Sequence, residues 1–181
     1  MTAVAASPEG RIFLVGVPRS GTTLLQALLA AHGEVTSFTE SHLFSRHFST
    51  VPGLGPVLTA DPGPRLREFL EENGLSAPAA ARWFGPPTPG LLRSRLSMLL
   101  LTRTVARRLV RVLDELGRER GAPFWLEKTP RHLHALPLLE KVCDDGVATH
   151  FVHMVRDGLQ TVASLHKASR GWERAYDVEE C

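Results

Sequence analysis

Residues 12–32 constrain the fold more tightly than any other stretch. Ile12-Phe13-Leu14-Val15-Gly16-Val17 is an unbroken apolar run closed by Pro18-Arg19-Ser20-Gly21, the pattern of a strand buried on both faces. Leu24, Leu25, Leu28 and Leu29 then recur at helical spacing across residues 22–32, with Gly33 as a stop. A buried strand, a Gly-containing turn and a helix in direct succession form one unit of an α/β fold. The turn lies at the helix N-terminus, where backbone N–H groups and the helix dipole favour an anion.

The alternation continues along the chain. Residues 35–38 read as a short strand and 41–48 as a helix; 124–126 and 149–155 read as further strands. Asp157 stands at an N-cap position before Leu159, Val162, Ala163 and Leu165. A helix is expected over 131–142, interrupted or kinked at Pro137. Residues 91–116 read as a long amphipathic helix, its apolar stripe carried by Leu96, Leu99, Leu100, Leu109, Val112, Leu113 and Leu116. Arg103, Arg107, Arg108 and Arg111 form its basic face, a solvated surface on the simplest reading. Strands alternating with helices imply an α/β domain on a parallel sheet. Residues 50–90 are Pro/Gly-rich, with short periodic pieces at 65–70 and 77–84, and read as a helical insertion or lid between the first and second core strands.

The length of 181 residues suits one domain, 11–181, behind a flexible stretch 1–10. A formal charge of +2 is too small to argue for a nucleic-acid or membrane partner. No segment reaches the roughly 20 apolar residues of a membrane span, and residues 1–17 lack the layout of a signal peptide. Cys143 and Cys181 form neither a CxxC pair nor a dense framework, so a cytoplasmic location is expected.

Gly16 and Gly21 have the spacing of a Walker A loop, but Thr22 stands where an NTP-binding loop places Lys. The cation is instead Arg19, inside the loop, and Ser20, Thr22 and Thr23 add hydroxyls. Pro18-Arg19-Ser20-Gly21-Thr22-Thr23-Leu24-Leu25 resembles the 5′-phosphosulfate loop of the sulfotransferases that use 3′-phosphoadenosine 5′-phosphosulfate (PAPS). The block at 151–165 resembles that family's 3′-phosphate motif, which implies that Arg156 and Ser164 hold the 3′-phosphate. Phe38-Thr39-Glu40-Ser41-His42-Leu43-Phe44 resembles the segment that carries a catalytic Glu in tyrosylprotein-type and bacterial members. Trp125-Leu126-Glu127-Lys128-Thr129-Pro130-Arg131 resembles a further family block.

The resemblance implies a P-loop-like fold and sulfuryl transfer from PAPS, without a metal, to an acceptor hydroxyl or, less readily, an amine. Pro18, Arg19, Ser20, Gly21, Thr22, Thr23, Arg156 and Ser164 are the expected donor-binding residues. Glu40 is the expected base, its pKa raised if it is partly buried beside the sulfuryl group. Lys128 is expected to neutralise the leaving oxygen, and Glu127 to orient Lys128 or cap the next helix. His42 reads first as a packing or surface residue and second as an acceptor contact, His153 reads as a core histidine, and the pairs His132/His134 and His42/His47 have poor zinc geometry.

The acceptor is a small molecule, carbohydrate, lipid or peptide. Two other readings stand: a P-loop kinase or NTPase, and a noncatalytic or partner-dependent nucleotide-binding remnant. The last is motivated by a chain that stops soon after the 3′-phosphate motif, as though truncated relative to the family, with its cover supplied by another chain or a homodimer contact.

Overall fold

The computed structural model describes residues 8–75 and 95–170. Its strands are β1 (Gly10–Gly16), β2 (Val35–Ser37), β3 (Phe48–Val51), β4 (Gly55–Leu58), β5 (Phe124–Lys128) and β6 (Ala148–Met154). Its helices are α1 (Thr22–Ala30), α2 (Gly63–Glu72), α3 (Arg95–Glu119), α4 (Leu136–Val142) and α5 (Gly158–Ser169). A four-stranded parallel sheet runs β2-β5-β1-β6, so the apolar β1 lies inside it, with Phe13 beside Glu127 and Phe151, and Leu14 beside Lys128 and Val152. The protein is α/β, with a parallel sheet flanked by helices.

Strand alternation divides the chemistry. Phe13, Trp125 and Glu127 share one face. There Phe13 meets Trp125 edge-on at 5.1 Å and Phe44 at 6.2 Å, in a core that also takes Leu109, Leu113, Leu138 and Leu139. Leu14, Leu126 and Lys128 share the other face, and Lys128 reaches Thr23 of α1. The insertion follows β2 and contains an antiparallel hairpin, β3-β4, besides helical segments. The expected helix at 41–48 is instead a run of turns leading into β3: His42, at φ 54°, lies outside the helical range, and the bonds from Arg46 N–H to His42 O and from Phe48 N–H to Phe44 O do not extend into a helix. Pro137 begins α4 after a 3-10 turn at Pro130–Ala135, a position where its missing N–H costs nothing. Asp157 caps α5 by accepting from Gln160 N–H at 3.0 Å.

Two apolar stripes are only partly covered. Leu24 and Leu28 are exposed on α1, and Leu100 is exposed on α3, whereas Leu109, Val112, Leu113 and Leu116 are buried as expected. Arg103, Arg107, Arg108 and Arg111 are exposed. His153 is exposed too, contrary to its expected core role, on a strand that lies at the edge of the described sheet. The periodic piece at 77–84, the side chains of Leu96 and Leu99, and residues 171–181 lie outside what is described.

No sequence pattern marks Arg11, yet it is 1% exposed at the second position of β1. Its guanidinium forks onto Asp114 of α3 (2.6 and 2.8 Å) and Asp145 before β6 (2.7 and 2.9 Å). Asp114 also accepts from Trp125 Nε1 at 3.0 Å. This cluster ties sheet to helix, and Arg11→Ala should cost about 3 kcal/mol because it leaves the mostly buried Asp114 carboxylate without its cation.

The hydrogen bonds from Arg11 hold the Asp145 carboxyl below its usual range. A depressed folded pKa contributes stability that is complete above the unfolded value of about 3.9 and is lost as pH falls through the lower folded value. Thermal melts below about pH 4 should therefore decline more steeply for the native protein than for Asp145→Asn.

Candidate active site

The loop between β1 and α1 is shaped by two glycines. A Cβ on Gly16 would lie 2.6 Å from Met154 O and 3.0 Å from Ser20 Oγ, so only glycine lets β1 and β6 close beneath the loop. Gly21 is the N-cap of α1 at φ 103°, a left-handed conformation that disfavours a side chain. No side chain caps α1, so its first-turn N–H groups have no such partner. Gly16→Ala should lower stability by about 1–3 kcal/mol, read as a shift in denaturant midpoint without a change in slope.

Three observations fit an anionic ligand here. Ser20 Oγ is buried with no hydrogen-bond partner. Arg19 is held at φ 72°, and its Nε donates to Ser164 Oγ at 3.4 Å. Arg156 Nη1 donates to Arg19 O at 3.2 Å, while its other donors reach Gln160 Oε1. Among the described residues, neither arginine is paired with a carboxylate. The first-strand loop and the α5 motif, 137 and 145 residues apart in these contacts, thus meet at the carboxyl ends of β1 and β6, the ligand side of open α/β sheets.

Glu40 and Lys128 meet beside this loop. Lys128, its side chain 5% exposed at the end of β5, is ion-paired with Glu40 Oε1 and reaches Thr23 Oγ1 at 3.4 Å. Glu40, its side chain 37% exposed, has His42 Nε2 3.3 Å from its second oxygen. Burial, with Arg46 nearby, lowers the His42 pKa. An open cleft of about 480 Å³ lies around Glu40, His42, Arg46 and Arg65. Another of about 510 Å³ is floored by Ala27, Ala30 and Phe38 and reaches Thr23 and Arg120.

Glu127 does not orient Lys128 or cap the following helix. It points to the opposite sheet face, is fully buried, and binds Ser41, Thr129 and His132. Burial works to raise its pKa, but the interaction with His132 and the Thr129 and Ser41 hydroxyls outweighs it and holds the carboxyl low. Arg65 is a further residue without a sequence signal: it donates to Glu40 O at 2.7 Å and Ser41 O at 2.9 Å, and pairs with Glu68 and Glu72. Among the described residues no group of three metal-ligating side chains is assembled.

Fold and site define an α/β protein with a cationic, uncapped loop at the head of its first helix. Residues 11–180 match the sulfotransferase family model, and the chain belongs to that family. It is 28% identical over 154 residues to human protein-tyrosine sulfotransferase 1, covering 85% of this chain and 33% of the human protein. The mouse and rat proteins of the same name match at 29% over the same shares. The chain thus spans about a third of the length of these curated relatives.

Proposed function

We propose that the protein transfers a sulfuryl group from PAPS to an acceptor hydroxyl. The observation that carries this reading is the convergence of Arg19, Ser20, Arg156 and Ser164 beside the Glu40–Lys128 pair, at the mouth of the parallel sheet. Among the described residues, two arginines without a carboxylate partner, a buried hydroxyl without a hydrogen bond and a helix without a side-chain cap fit a ligand with separate anionic groups.

In this reading the donor supplies the SO3 group and a phosphate that leaves from it. Pro18, Arg19, Ser20, Gly21, Thr22 and Thr23 hold its 5′ end, and Arg156 with Ser164 holds its 3′-phosphate. Lys128 turns its ammonium toward the charge that develops on the leaving oxygen. That movement releases Glu40, which accepts the proton of the acceptor O–H. Positioning and charge stabilisation supply the catalysis, and no metal is assigned a part.

The cleft lined by Glu40, His42, Arg46 and Arg65 leaves room for an acceptor beside the carboxylate. The curated relatives are named protein-tyrosine sulfotransferases, so a peptide tyrosyl hydroxyl is the first acceptor to test, followed by carbohydrate, lipid, small-molecule and amine acceptors. The proposed location is cytoplasmic, from cysteine usage; no described helix is long and apolar enough to cross a membrane. Titration calorimetry with the desulfated donor, 3′-phosphoadenosine 5′-phosphate, tests the binding half: saturable heat is expected, weakened by about tenfold or more in Arg156→Ala. No binding at millimolar nucleotide overturns the reading.

A further inference from the structure

Residues 41–44 follow no regular secondary structure, yet each of their backbone N–H groups is satisfied from one source. Ser41 N–H donates directly to Glu127 Oε1 at 3.2 Å. His42 N–H donates to Thr129 Oγ1 at 3.3 Å, and that hydroxyl donates onward to Glu127. Leu43 N–H donates to Ser41 Oγ at 3.3 Å, and that hydroxyl also donates to Glu127, at 2.8 Å. Phe44 N–H donates to His132 Nε2 at 3.2 Å. An Nε2 that accepts a backbone N–H carries no proton, so His132 is the Nδ1–H tautomer and donates to Glu127 Oε2 at 2.9 Å.

Four successive amides therefore rest on one carboxylate, either directly or through one side chain. His42 is held at φ 54° within this turn, a strained backbone for a non-glycine residue. From the other side, Arg65 grips the carbonyl oxygens of Glu40 and Ser41. Glu40 immediately precedes the four amides, and Lys128 immediately follows Glu127 on β5. The end of one strand thus presents Lys128 to the Glu40 carboxylate on one face and supports the Glu40 backbone from the other.

We infer that Glu127 is a positioning residue: it sets Glu40 against Lys128 by organising the N–H groups of residues 41–44. The inference rests on Glu40 acting as base. Glu127→Gln keeps the volume, but it replaces an acceptor oxygen by an N–H2 group facing donors, since both oxygens of Glu127 accept.

The test has two arms. Amide hydrogen exchange without nucleotide should speed up by about tenfold or more at Ser41, His42, Leu43 and Phe44 together in Glu127→Gln. In steady-state transfer, Glu127→Gln should lower kcat by about 10²-fold, with affinity for the desulfated donor unchanged. In a Glu40→Ala background it should have little further effect, because both changes remove the same contribution.

Unchanged exchange at these amides, or kcat losses that multiply fully in the double variant, overturns the inference. Full activity in Glu40→Ala instead removes the base assignment, and the exchange arm still decides whether Glu127 holds the turn. Should Glu127→Gln fail to fold, Thr129→Val breaks only the relay to His42 and Thr129→Ser restores it. Equal kcat and exchange in those two variants would also overturn the inference.

Discussion

Glu40→Ala should lower sulfuryl transfer by about 10²- to 10⁴-fold, the range of a lost general base, while the desulfated donor binds with unchanged affinity. Glu40 has contacts that fit the proposed role: Arg65 holds its backbone carbonyl and Lys128 pairs with one carboxylate oxygen. Its half-exposed edge opens on the cleft shared with His42 and Arg46. Because Glu40 contacts none of Arg19, Ser20, Arg156 or Ser164 in the hydrogen-bond network around the loop, its loss should appear in kcat rather than in donor binding. Glu40→Gln should be impaired nearly as much, since an amide cannot take the proton. Equal activity in Glu40→Ala would assign the base elsewhere, with His42 the adjacent neutral imidazole to examine.

Lys128→Met should lower kcat by about 10²- to 10³-fold, comparable with removal of one charge-stabilising donor from a reaction centre. Lys128 is buried by the sheet and by α1, and its ammonium bridges Thr23 and Glu40. In the proposed mechanism, a flexible four-carbon stem would let one cation serve the carboxylate before the reaction and the leaving oxygen during it. Arg cannot substitute freely, because its planar fork needs a different approach, so Lys128→Arg should recover little. The measurement is single-turnover transfer at saturating donor, which separates the chemical step from binding. A Lys128→Met protein with an unchanged single-turnover rate would remove that lysine from the chemistry.

The parts of the molecule that could be read from sequence are those where local pattern and global role agree. β1 declares itself by six consecutive residues, 12–17, with no charge, and the loop after it by glycine placement. Asp157 fits its cap, and Pro137 fits the first turn of α4. Residues of the four motif blocks meet in space, Arg19 with Ser164 and Arg156, and Glu40 with Lys128.

What could not be read depends on contacts between distant segments. Arg11 is a charge inside a strand, and only the arrival of Asp114 and Asp145 from 103 and 134 residues away makes its burial tolerable. The turn at 41–48 carries an apolar spacing that suits a helix, yet a left-handed His42, in a turn whose N–H groups bind Glu127, Thr129 and His132, breaks the helical run at its start. His153 sits in an apolar run, but among the described residues its strand is at the sheet edge and the side chain is exposed. Strand alternation was the one available signal for Glu127: neighbours on a strand face opposite ways, which already separates it from Lys128.

The most direct test of sulfuryl transfer uses PAPS labelled in its sulfate, incubated with the protein and a panel of tyrosyl peptides, carbohydrates, lipids and small hydroxyl and amine compounds. The expected result is covalent label on an acceptor, formed by the native protein and reduced by at least about 10²-fold in Glu40→Ala. Saturable binding of the donor with no label transferred to any acceptor would contradict catalysis and mark the chain as a noncatalytic nucleotide-binding protein.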